Sequence, residues 1–109
     1  VTPAYSYAAR VLRVIDADTY DVEVDVGFRL TTRLPLRLAF VDAPEARTAA
    51  GDAATAWVRE LFGTLPRPVV VRTYKPSDAF GRYLAELFLP DGRSLADELL
   101  AAGHAETRR

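Results

Sequence analysis

Within residues 20–28, YDVEVDVGF, acid and valine alternate without a break from Asp21 to Val26. Val22, Val24 and Val26 fall on one face, and Asp21, Glu23 and Asp25 on the other. That period of two belongs to an extended strand with one buried face. Gly27 then permits a bend or bulge. Similar runs lie on either side. Residues 7–15, YAARVLRVI, alternate loosely and are rich in strand formers. The stretch 29–41, RLTTRLPLRLAFV, contains a third strand. There Leu34, Leu36, Leu38 and Phe40 face one way, and Arg33, Arg37 and Val41 the other. Pro35 has no N–H, so this strand is an edge there, or it bulges.

The period then changes. After a loop over 46–50, GDAATAWVRELFG places Ala53, Ala54, Trp57, Val58, Leu61 and Phe62 on one helical stripe. Asp52 supports the helix start and Gly63 its end. PVVVRTY at 68–74 reads as a buried strand, KPSD as a turn and FGRYLAELFL as another strand. PDG at 90–92 is a turn. SLADELLAAG is a second helix, with Ser94 and Asp97 as a variant capping box and Gly103 as the stop. The expected order is β-β-β-α-β-β-α. Five strands with a helix between the third and fourth is the order of an OB-fold, a five-stranded Greek-key barrel that often binds oligonucleotides. The expected class is mainly β (α+β), with residues 1–109 as one domain.

Composition narrows the chemistry. The chain has no cysteine and one histidine, His104, so thiolate and multi-histidine metal sites are excluded. The net charge is −1 and the pI about 5.8. A protein that holds nucleic acid by charge alone is basic, so any phosphate contact here must be local. No stretch approaches the roughly 20 apolar residues of a membrane span, and no membrane partner is expected. VTPAYSYAARVL lacks the charged start and long apolar run of a signal peptide. A mature secreted form would look the same, so localisation is left open. The expected state is a monomer.

The chemistry concentrates at two strand ends. VIDADT at 14–19 and RLAFVDAPE at 37–45 both run from apolar residues into a pair of acids. On a barrel, the ends of strands one and three can lie side by side at one rim. Asp16, Asp18, Asp42 and Glu45 would then approach Arg37 and Arg82, giving about three carboxylates and two guanidiniums. Clustered carboxylates repel and raise each other's pKa. A hard divalent cation relieves that, and calcium takes six to eight oxygen ligands. Two guanidiniums facing a bound phosphate would clamp its oxygens, and a spare carboxylate would polarise an attacking water.

VIDADT (14–19), LRLAFVDAPE (36–45), DAFGRYLAELF (78–88) and SLADELLAAGHA (94–105) occur in an order and at spacings that resemble the thermonuclease family, the staphylococcal (micrococcal) nuclease type. The resemblance implies an OB-fold that uses Ca²⁺ to hydrolyse phosphodiester bonds of DNA and RNA, leaving 3′-phosphates. Asp18 and Asp42 match the family's metal-binding acids, and Ala43 the residue whose carbonyl also binds the metal. Glu45 matches the acid proposed as general base. Arg37 and Arg82 match the two arginines that bind the phosphate and its transition state. Some positions depart from the pattern. Ala17 stands in place of a glycine, which predicts strain in that turn. Ala43 stands in place of a threonine, keeping the carbonyl and losing the hydroxyl. Larger members continue through base-stacking tyrosines; within 1–109, Phe80 and Leu84 are the candidates for apolar contact with a base.

Bland roles compete with these. A strand-end acid is usually a turn former, and Asp16 is read that way. Arg10, Arg13, Arg29 and Arg33 are read as surface arginines. Arg82 alone would be a cross-strand ion-pair partner, Trp57 a core residue, and His104 a charge near a helix end. The competing functional class is an OB-fold module that binds nucleic acid or protein without cutting it.

Overall fold

The computed structural model describes residues 5–64, 66–77 and 83–108, of which 74–77 by backbone alone. The elements are β1 (Tyr5–Asp16), β2 (Thr19–Gly27), β3 (Leu30–Leu38), β4 (Val41–Asp42), α1 (Ala49–Phe62), β5 (Arg67–Ser77), β6 (Tyr83–Phe88), α2 (Leu95–Ala101) and β7 (Glu106–Thr107). Five of these strands close a barrel in the order β1-β2-β3-β6-β5, while β4 and β7 pair separately. With α1 between the third and fourth barrel strands, this is the expected OB-fold. The two-residue strands β4 and β7 are additions to the expected order.

The valine alternation sets the barrel wall. Val22 and Val24 are buried against Val11, Val14, Leu36 and Leu38. Val26, expected on the same face, is 39% exposed because the β2–β3 ribbon has by then run past the core. Gly27 adopts φ 85° beside a register shift, the expected bulge. The hairpin then turns through Phe28 and Arg29, both at positive φ. Two such residues between paired neighbours match the twist of a β-ribbon, although glycine or asparagine is the usual choice there. Pro35 sits opposite Asp21, just before the parallel pairing of β3 with β6 begins at Leu36. Its missing N–H therefore falls where β3 is an edge.

Helix α1 buries Gly51, Ala54, Val58 and Phe62, a three- and four-residue spacing. Phe62 meets Tyr20 edge-on, with ring centroids 6.2 Å apart. Arg59 donates to the Val14 carbonyl of β1 at 3.1 Å, and Arg67 caps the helix end through the Phe62 carbonyl at 2.7 Å. Ala53, expected on the buried stripe, is exposed, because the barrel accepts a face rotated toward Gly51. The helix also starts earlier than expected. Thr48 is its N-cap, so Ala49 and Ala50, read as loop, are its first turn. Trp57 is half-buried against the core, and its ring stands 5.4 Å from that of His104.

Two further expectations are corrected by the backbone. Lys75–Ser77, read as turn, continues β5 and pairs with β6 across two register shifts; Asp78 lies outside the described residues. Phe40, expected on the apolar face of the third strand, is 56% exposed at φ 71°. The chain reverses there, so Val41, assigned to the opposite face, is the residue that is buried.

Candidate active site

The site is built where the β1–β2 turn meets the end of β3. Asp16 pairs with Thr19 across a two-residue turn, which puts Asp18 at its tip. Tyr20 braces this turn from inside: its hydroxyl donates to the Ala17 carbonyl in a short hydrogen bond. Burial, and next the charge of Asp18, push the Tyr20 hydroxyl well above its ordinary pKa. Ala17 is buried and is not among the described residues with positive φ, so the predicted strain is absent. The Leu38 N–H donates to the Asp18 carbonyl at 2.8 Å, tying the turn to the end of β3.

Arg37 sits one residue before that tie. Its neighbours Leu36 and Leu38 point into the barrel, so period two puts Arg37 on the other face. That face is covered, because the chain folds back over it through Phe40 into β4. Only 6% of the Arg37 side chain is exposed. One guanidinium nitrogen, Nη1, donates to the Leu38 carbonyl at 2.5 Å and the Val41 carbonyl at 2.8 Å. The other, Nη2, donates to Asp42 Oδ1 in a short charge-assisted bond and stands 3.4 Å from Asp18 Oδ2. Asp18 closes the loop by accepting from the Ala43 N–H at 3.1 Å and from the Thr19 hydroxyl at 3.2 Å. Two carboxylates 24 residues apart in sequence thus share one buried guanidinium.

Glu45 and Leu84 make no contact in this hydrogen-bond network. Glu45 is exposed, in the link between β4 and α1, and makes no side-chain hydrogen bond or ion pair with another described residue. Among the described residues, no three His, Cys, Asp or Glu side chains gather as a metal-holding group. The expected cluster of about three carboxylates is therefore two, Asp18 and Asp42. Leu84 is half-buried on β6, in register with Arg37. Phe80 and Arg82 lie outside the described residues. Asp16 remains a turn residue, in register with Thr19.

Some contributors were not foreseen. Strand β7 pairs Glu106 with Asp42 and Thr107 with Val41, and the Arg108 N–H donates to the Phe40 carbonyl at 2.7 Å. Arg108 Nη1 reaches Asp42 Oδ1 at 3.4 Å, so a second guanidinium meets this acid from the far end of the sequence. A groove lined by Asp42, Ala43, Pro44, Gly103, Ala105 and Glu106 runs between the two segments. Two-residue strands carry no periodicity, so no pattern signals β7. Thr48 did carry a signal: a threonine directly before two alanines is an N-cap position.

The family model of the staphylococcal nuclease homologues matches residues 35–109, which include Arg37, Asp42 and Glu45. The chain belongs to the staphylococcal nuclease homologue family. Among curated relatives, a protein named "Uncharacterized endonuclease" from Escherichia coli O157:H7 is 33% identical over 96 residues, 88% of this chain and 58% of that protein. A "Micrococcal nuclease" from Shigella flexneri is 38% identical over 89 residues, covering 81% of this chain and 47% of the relative. "Protein ParB" from Escherichia coli is 35% identical over 89 residues, 81% of this chain and 46% of the relative. The chain thus spans about half the length of the curated relatives it matches.

Proposed function

We propose that this domain hydrolyses phosphodiester bonds of DNA or RNA with the help of Ca²⁺. The observation that carries the reading is the buried Arg37 fork shared by Asp18 and Asp42. A guanidinium held by two backbone carbonyls has its position fixed before any substrate arrives, and charge fixed in advance is what stabilises a phosphoryl transition state. The nuclease names of two relatives support the same reading.

The donor set fits a hard divalent cation. Asp18, Asp42 and the Ala43 carbonyl offer only oxygen, which is calcium's preference. The Asp42 side chain is 51% exposed, and each carboxylate has about four lone-pair sites, more than its described partners use. Ca²⁺ held by these three residues would supply positive charge beside the phosphate and offset the acidic pI locally. Arg37, whose Nη2 now donates to Asp42, would turn that donor to a phosphate oxygen when the cation takes up the carboxylates, with Arg82 proposed as the second fork. Glu45 takes a proton from the attacking water. As the new P–O bond forms, the P–O5′ bond breaks. The 3′-phosphate remains on one fragment, and the departing 5′-oxygen takes a proton from solvent. Leu84, and Phe80 with it, would offer apolar contact to a base.

The test is cleavage of single-stranded DNA with Ca²⁺ and then with a chelator. Glu45→Gln should remove most turnover and leave Ca²⁺ affinity nearly intact, whereas Asp18→Ala should lose both. A Glu45→Gln rate equal to the parent would sink the base assignment. The second reading, an OB-fold module that binds nucleic acid or protein without cutting, is favoured by one observation: only two carboxylates gather at the described site. Metal-insensitive binding without cleavage would support it.

A further inference from the structure

Glu45 lies in no helix or strand, so something else must fix where its carboxylate leaves the backbone. Two neighbours do so. The Thr48 hydroxyl donates to the Glu45 carbonyl at 2.6 Å, and the Thr48 hydroxyl oxygen in turn accepts from the Gly51 N–H at 3.0 Å. The cap of α1 is therefore also a clamp on the Glu45 peptide.

Gly51 makes the second contact. It is buried in the first turn of α1, and its φ is not in the positive range, so its backbone conformation does not require glycine. Its space does. A Cβ at this position would overlap the Glu45 carbonyl oxygen, lie 2.7 Å from the Glu45 carbonyl carbon and 3.1 Å from the Pro44 oxygen. Glycine in a helix costs about 1 kcal/mol relative to alanine. Here that cost accompanies a close approach of the helix to the one segment that carries Glu45.

We propose that Thr48 and Gly51 are positioning residues for Glu45: together they dock the first turn of α1 onto the Glu45 peptide and so set the origin of the carboxylate. This rests on the reading of Glu45 as the acid that takes the proton of water. Neither residue touches substrate. Their effect on rate passes entirely through Glu45.

The experiment measures kcat and KM for Ca²⁺-dependent cleavage of single-stranded DNA, alongside Ca²⁺ affinity and thermal midpoint. Thr48→Val keeps the shape and removes the hydroxyl; it should lower kcat about tenfold, a fraction of the roughly 10²–10⁴-fold that a general base contributes. KM and Ca²⁺ affinity should stay near the parent, and Thr48→Ser should restore kcat. Gly51→Ala should lose more, roughly 100-fold, as expected for a misplacement of about an ångström, and its crystal structure should show Glu45 displaced. In a Glu45→Gln background, Thr48→Val should cost nothing further, because the group being positioned is gone. A folded Thr48→Val with parental kcat overturns the proposal, and so does an equal loss in both backgrounds. Where Gly51→Ala does not fold, the Thr48 pair carries the test alone. Parental activity in Glu45→Gln itself is a different failure, that of the base assignment.

Discussion

Arg33 and Arg37 are the same residue, four apart on one strand and on the same face, yet they live in different physics. Arg33 is 75% exposed and reaches Glu23 at 3.4 Å. Arg37 is 6% exposed, with four polar partners. The two halves of β3 differ in the same way. Residues 30–35 pair only with β2, whereas 36–38 lie between β2 and β6 and under the returning chain. The lesson is that alternation fixes which way a side chain points, and the next layer decides whether that direction is solvent. An exposed ion pair is worth little because water competes for both partners. A covered one is expensive to break because nothing replaces the lost partner.

The strongest test of this contrast is Arg37→Ala. Asp18 and Asp42 would keep their charges without the shared fork, and two carbonyls would lose their donor. Urea denaturation should show a loss of about 3–5 kcal/mol. Next, Leu36→Ala removes a fully packed side chain and should cost about 2–5 kcal/mol. Leu30→Ala, on the exposed half, should change stability by no more than about 0.5 kcal/mol. Equal losses at the two leucines would break the comparison outright.

Titration separates the halves in opposite directions. Tyr20 stands opposite Leu36, and Glu23 opposite Arg33. The folded Tyr20 pKa is raised above the ordinary value near 10, chiefly by burial. Its contribution is therefore complete below that ordinary value and lost as pH rises through the folded one. Denaturation midpoints of the parent should fall between pH 9 and 11, and Tyr20→Phe should fall less over that interval. Glu23 behaves in reverse. The hydrogen bond from Arg10, with the charges of Arg10 and Arg33, holds its carboxyl below the usual range. Its contribution is present above the ordinary value and lost as pH falls through the folded one. The smallest expected effect is Arg33→Ala, within about 0.5 kcal/mol of the parent at neutral pH, with a slightly shallower acid limb.

The barrel was legible because its signals are long. Six residues of β2, 21–26, repeat one period, and Val22 and Val24 went where it sent them. Phe40 was misplaced because one residue at positive φ reverses the phase, and no propensity marks that reversal for a phenylalanine. Arg37 reads from the sequence as a candidate site residue, but its burial does not, since covering a polar face is a tertiary event. Asp18 and Asp42 could be named from their strand ends. That they share Arg37, and that Asp42 also meets Arg108, depends on a two-residue strand with no readable pattern. Ala53 was assigned to the buried stripe because helical period alone tolerates a small rotation; the contact with Gly51 sets the actual face.

The pairing of β4 with β7 joins residues 41–42 to residues 106–107. Closing so long a loop is among the costlier steps in assembling a small domain. A chain leaving the ribosome makes its first acid, its buried fork and its second acid before the strand that pairs beside the last of them. The strand bearing that second acid nevertheless waits for a partner until more than sixty further residues have been translated. Synthesis order thus delays the final arrangement around Asp42, and a nascent chain carries these groups across that interval before they are fully held.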